Sequence, residues 1–144
     1  MTTKKYLDSV RHADREIESK TRVLKKMKSQ LYSIQAAQIK EDVVTGGKKI
    51  TGEDRIVRAM EYEKELISEL MDLFELKEEA RRYINRLDKE VSRTVLFERY
   101  LNNNQWNDVA DFMGYEERYT KRLHNEALKE LSEIKDRKTL KDTV

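Results

Sequence analysis

No proline interrupts the 144 residues of this chain, and three of its four glycines fall in one stretch, Glu41 to Gly52. Proline breaks a helix by removing an amide donor and clashing with the preceding turn, and glycine weakens one through backbone entropy. Long helices can therefore form on either side of that stretch. The apolar spacing supports them. Val10, Ala13, Ile17, Leu24, Met27, Leu31 and Ile34 alternate three and four apart, with Lys20 as the one break. The pattern predicts a helix from about Lys5 to Lys40, running about 54 Å at its rise per residue. The segment Glu41 to Gly52 loses the period and reads as a loop, with Thr51 as cap of the next helix and Glu53 and Asp54 in its first turn. That second helix runs from about Glu53 to Leu87. Ile56, Ala59, Leu66, Leu70, Leu73, Ala80, Ile84 and Leu87 line one face, and Met60, Ile67, Met71 and Phe74 widen it beyond what a two-helix seam requires.

The formal net charge is +2, from 30 Lys and Arg against 28 Asp and Glu, so no global field argues for nucleic acid. The distribution is uneven. Lys4 to Lys49 holds twelve bases and six acids, Ile50 to Val91 eight and twelve, and Ser92 to Val144 ten of each. A basic helix followed by an acidic one predicts an antiparallel hairpin, with an intermolecular coiled coil as the alternative. The run Lys20, Arg22, Lys25, Lys26 and Lys28, with no acid from Ser19 to Lys40, is either a solvated face or a surface for phosphates or an acidic partner.

The third segment reads differently. Ser92 to Leu101 forms a helix with Val95, Leu96, Arg99 and Tyr100 near one side, and Asn102 to Gln105 ends it. Asn104 is a natural N-cap for a two-turn helix, Trp106 to Met113, with Trp106, Val109, Ala110 and Met113 on one face. Gly114-Tyr115 is a turn, and Glu116 to about Lys135 a longer helix. Two helices joined by a tight Gly turn match a helix-turn-helix. The last helix has two faces. Thr120, Leu123, Ala127, Leu128, Leu131 and Ile134 point inward, whereas Arg118, Lys121, Arg122 and Asn125 make an outward stripe that Lys129 extends. Arg forks to guanine, Asn to adenine, and Lys reaches guanine or phosphate. The alternative is an ordinary solvated face. Tyr100, Trp106, Val109 and Leu123 are expected in the core, and His124 at its boundary, touching backbone or phosphate.

The stretch Trp106 to Leu131 resembles region 4 of sigma-70-type factors. The whole chain resembles late transcriptional regulators of phages and prophages of Gram-positive bacteria, of the ArpU and RinA kind. That resemblance rests on Lys4 to Leu7, Arg99 to Leu101, and WNDVADFMGYEERYTKRLHNEAL, Trp106 to Leu128. It implies a DNA-binding activator or sigma-like protein controlling phage genes, with Glu117, Arg118, Lys121 and Arg122 at the outward recognition positions. The family often carries Ser where this chain has Glu116. Glu116 and Glu117 repel phosphate, which lowers affinity or demands a partner, although Glu117 could accept from cytosine N4.

Other classes find less support. Without Cys there is no disulfide framework, thiolate metal site or cysteine nucleophile. His12 and His124 lie in different segments, and no metal-ligand cluster or tuned carboxylate pair stands out. Gly46-Gly47-Lys48-Lys49 lacks the spacing of a phosphate loop. No apolar run reaches the roughly 18 residues of a membrane span, and MTTKKYLDSV lacks a signal-like apolar region. The expectation is thus an all-α protein, not an enzyme and needing no cofactor or metal. Residues 1–90 form a helical hairpin and residues 91–144 a three-helix DNA-binding domain of sigma region-4 type. It would act on double-stranded DNA in the cytoplasm of a bacterial host. Glu117, Arg118, Lys121, Arg122, Asn125 and Lys129 would be the contact residues, and the hairpin would serve a homodimer or RNA polymerase. The rival readings are a phage small terminase-like packaging protein and a helical adaptor acting on polymerase.

Overall fold

The computed structural model describes residues 1–42 and 50–143, with side chains over 1–37 and 53–137. Among the described residues the protein is all-helical, with no strand. Helix α1 is Thr3–Asp42, α2 Ile50–Asn85, α3 Glu90–Leu96, α4 Trp106–Met113 and α5 Glu117–Thr143; α3 continues into a π-helical turn, Phe97–Leu101. Two long helices therefore form where proline is absent, as the spacing predicts.

The element ends differ from expectation at three places. Ile50, Thr51 and Gly52 belong to α2, so Thr51 lies inside the helix and does not cap it. A single Gly costs a helix only about 1 kcal/mol, which propagation of the following turns offsets. Glu41 and Asp42 likewise end α1, and the remainder of the expected loop, 43–49 with Gly46-Gly47-Lys48-Lys49, lies outside the described residues. Asn104 is not the cap of α4 either. That position is Gln105, and it makes no side-chain cap bond. The amide of Asn104 instead donates to Glu98 Oε2 at 2.7 Å. Third, the expected single helix over Ser92 to Leu101 widens in its last turn, where Asn102 N donates to Phe97 O at 3.0 Å, an i to i+5 bond.

Packing divides the chain into two compact units, one of Met1–Arg15 with Leu73–Val144 and the other of Glu16–Asp72. The expected boundary near residue 90 does not coincide with this division. In the first unit Tyr6, Leu7 and Val10 of α1 share one core with Ala80 and Ile84 of α2, Val95 and Leu96 of α3, Val109 of α4 and Leu131 of α5. Surface-to-volume favours this arrangement: a unit of α3, α4 and α5 alone buries a smaller fraction of its surface, and the two long helix ends add to its core. Each fully buried aliphatic side chain contributes about 1.5–3 kcal/mol. Polar contacts tie the same segments. The Tyr6 hydroxyl donates to Glu79 Oε1 at 2.7 Å, and the Tyr6 and Tyr83 rings meet edge to face at 6.3 Å. Lys135 of α5 lies 3.5 Å above the Tyr6 ring. Lys77 pairs with Asp14, which also accepts from the amide of Asn103.

In the second unit Leu66 and Leu70 are buried, while Ile17, Leu24, Met27, Leu31 and Ile34 are half-buried, as their spacing predicts. Lys20, the break in that pattern, pairs with Glu69 at 2.9 Å, and Lys28 lies 3.9 Å from Glu63. The hydrogen bond to Glu69 is the main cause of the raised Lys20 pKa. Of the residues that widen α2, Met60, Ile67 and Met71 remain exposed in this unit.

Candidate nucleic-acid interface

The turn between α4 and α5 is built by Gly114. It takes a left-handed backbone, φ 76°, which an L side chain adopts only under strain. Tyr115 N bonds to Ala110 O at 3.1 Å and Gly114 N to Asp111 O at 3.3 Å, the two bonds that close a helix in a Schellman motif. A chain continuing as a helix from Glu117 then carries its first exposed turn straight out of this corner. Thr120 is buried, and its hydroxyl donates to Glu116 O at 2.9 Å.

All six residues expected to contact DNA are exposed on α5: Glu117, Arg118, Lys121, Arg122, Asn125 and Lys129. Thr120, Ala127 and Leu131 are buried on the opposite side, and Leu123, Leu128 and Ile134 half-buried. The two expected faces of α5 are thus present. Among the described residues Arg118, Arg122 and Lys129 form no ion pair. Glu117 and Lys121 differ, because their side chains pair with each other at 3.2 Å. The pairing partly neutralises both and competes with base reading by Glu117. Phe112, Tyr115 and Tyr119 are also exposed around the turn, with the two tyrosine rings edge to face at 5.0 Å. The sequence reading missed these aromatics. The i, i+4 spacing of Tyr115 and Tyr119 was the available signal.

Beneath the stripe lies an aromatic cluster. Tyr100 and Val109 are buried as expected, but Trp106 is only half-buried. Its ring meets the His124 ring edge-on at 4.7 Å, and Arg99 packs over its face at 4.7 Å. His124 is 4% exposed, deep in the core and not at its boundary. Its Nε2 shares a 2.5 Å hydrogen bond with the Tyr100 hydroxyl, against the expected contact with backbone or phosphate. The cause is the rotation of α5, which turns position 124 toward Tyr100 while Asn125 faces out. Burial, which disfavours the charged ring, brings the His124 pKa down to about 4, and burial likewise pushes Tyr100 up to about 12.

A cleft of about 270 Å³ opens beside this cluster. Lys4 and Asp8 of α1, Arg99 of the π-helical turn, Trp106 of α4, and Lys121 and Asn125 of α5 line it. Arg99 donates to Asn104 O at 3.1 Å, and its pKa is lowered first by burial and then by the nearby Arg11 guanidinium. No local pattern could have joined Lys4 to Lys121, which stand near opposite ends of the chain.

These features define an all-helical protein that exposes a basic and amide stripe on its last helix. The chain belongs to the DUF1492 family, described as proteins of unknown function, whose model matches residues 31–132. That match runs from the second half of α1 into α5. No curated protein and no solved structure matches the chain. No helix among the described residues is long and apolar enough to cross a membrane.

Proposed function

We propose that this protein binds duplex DNA sequence-specifically and regulates transcription of phage or mobile-element genes. In this reading α4, the Gly114 turn and α5 are a helix-turn-helix, and the first turns of α5 enter the major groove. Arg118, Arg122 and Asn125 read base edges, while Lys121 and Lys129 meet phosphate. The observation that carries the reading is the exposed stripe of α5 that follows the left-handed Gly114, with Arg118, Lys121, Arg122, Asn125 and Lys129 along its centre and the exposed acids Glu117 and Glu126 at its edges. In the second unit α1 and α2 form an antiparallel hairpin, which the pairs Lys20 with Glu69 and Lys28 with Glu63 support. Its exposed Met60, Ile67 and Met71 are suited to a second copy or to RNA polymerase.

The test is genome-wide recovery of DNA bound to the protein in its host, followed by binding of the recovered duplex in vitro. Arg118→Ala or Arg122→Ala is expected to cost about 1–3 kcal/mol of specific binding and to relax the preference at one base position. No bound duplex at physiological salt, or wild-type binding by both variants, overturns the reading. Solution mass separates regulation from DNA packaging. A regulator is expected as monomer or dimer, and a small terminase-like protein as a large ring.

A further inference from the structure

We infer that the cleft lined by Lys4, Arg99, Trp106 and Lys121 is a phosphate-binding site, and that the phosphate it takes belongs to the backbone of the bound duplex. The second clause rests on the DNA-binding reading of α5; the first does not.

The argument begins with unmatched charge. Three cations, Lys4, Arg99 and Lys121, line the cleft against one carboxylate, Asp8. Neither Lys4 nor Arg99 forms an ion pair among the described residues, and Lys121 is only partly neutralised by Glu117 at 3.2 Å. Arg11 adds to the imbalance. Its Nε is buried with no hydrogen-bond partner, and its charge reaches Arg99. Like charges held together in partly dry surroundings repel, and an anion seated among them relieves that repulsion.

Shape and donor chemistry narrow the anion. Arg99 is fixed, with its guanidinium stacked on Trp106 at 4.7 Å and bonded to Asn104 O. A guanidinium held in one orientation offers a fork that matches phosphate oxygens, and the ammonium groups of Lys4 and Lys121 add point charges from either side. About 270 Å³ accommodates a phosphate group with several waters, at ~30 Å³ for each water. The location names the source. Lys121 and Asn125 belong both to the cleft wall and to the stripe proposed for the major groove, so a duplex on that stripe carries its flanking backbone past the cleft mouth. The first turn of α1 then acts as a backbone clamp, a use for Lys4 that the hairpin alone does not supply.

Trp106 is the one tryptophan of the chain, so its fluorescence reports on the cleft directly. Inorganic phosphate titrated into the full-length protein is expected to change that emission saturably, whereas chloride at matched ionic strength does not. Lys4 is exposed, and Lys4→Gln leaves the core intact, so this variant is expected to weaken the response several-fold and Lys4→Arg to restore it. Equal responses to phosphate and chloride overturn the inference, whatever the duplex does. With the recovered duplex, Lys4→Gln is expected to lower the slope of log affinity against log salt by about one, the loss of one phosphate contact. An unchanged slope alongside saturable phosphate binding puts a free phosphate ester in the cleft. Absence of any duplex binding overturns the DNA reading and with it the assignment of the phosphate to a duplex, while the phosphate titration still decides whether the cleft binds phosphate.

Discussion

His124 makes acid a specific stress on this fold. Its ring is buried beside Tyr100 and Trp106, and its pKa falls to about 4 from the ordinary 6.5. Between those values the unfolded chain binds a proton that the folded chain refuses. The stability it supports is therefore complete above pH 6.5 and is lost as pH falls toward 4. The full loss amounts to about 3 kcal/mol. Thermal melts are expected to show a clear drop in Tm from pH 7 to pH 4.5, and His124→Gln a smaller one. A variant with the same pH dependence as the parent assigns the acid sensitivity to other groups. Trp106 acts at the same scale. Half-buried against His124 and covered by Arg99, it supports packing and the cleft wall together, so Trp106→Ala is expected to cost about 3 kcal/mol in urea unfolding.

Helix ends dominate at the scale of the elements. Gly114 meets nothing within 4 Å where a Cβ would stand, so the requirement for glycine is its left-handed backbone and not space. Gly114→Ala is expected to lower stability by about 1–2 kcal/mol, and Gly114→Asn by less, since Asn tolerates that conformation. Equal Tm values for all three would mean that the turn relaxes and the α5 entry angle is not set there. The other end of α4 is held differently. Asn102 and Asn104 both donate to the Glu98 carboxylate, at 3.0 and 2.7 Å, and Asn103 takes a left-handed φ of 57° while donating to Asp14. The π-helical turn, the asparagine loop and α1 are thus fastened together.

The whole molecule is organised by the division of packing, which joins the start of α1 and the end of α2 to the C-terminal helices. Leu7 is fully buried in that shared core. Leu7→Ala is expected to cost about 2–5 kcal/mol, and removal of residues 1–15 to unfold the C-terminal helices. Circular dichroism read alongside binding of the recovered duplex checks this. Residues 91–144 that remain folded when expressed alone would show that the α1 contribution is dispensable. The exposed apolar side chains of α2 bear on assembly. If they meet a second copy, Ile67→Glu is expected to convert a dimer to a monomer in sedimentation while leaving helicity unchanged.

The sequence by itself determined the helices and their faces. Helical periodicity is local, so Val10, Ala13, Leu66, Leu70, Ile84 and Leu131 could be assigned inward before any contact was known. Likewise Arg118, Lys121, Arg122, Asn125 and Lys129 could be assigned outward. The turn at Gly114 was legible for the same reason, since one residue type relieves the backbone strain there. The tertiary structure decided whatever depended on partners distant in the chain. Asn104 looked like a cap because capping chemistry is local, but its amide is held by the Glu98 carboxylate and the cap position falls on Gln105. His124 looked like a boundary residue because it stands between inward Leu123 and outward Asn125, but Tyr100 and Trp106 enclose it. Packing drew Tyr6, Leu7 and Val10 to the C-terminal helices because short helices need apolar area from elsewhere, and that demand has no signature in the segment that supplies it.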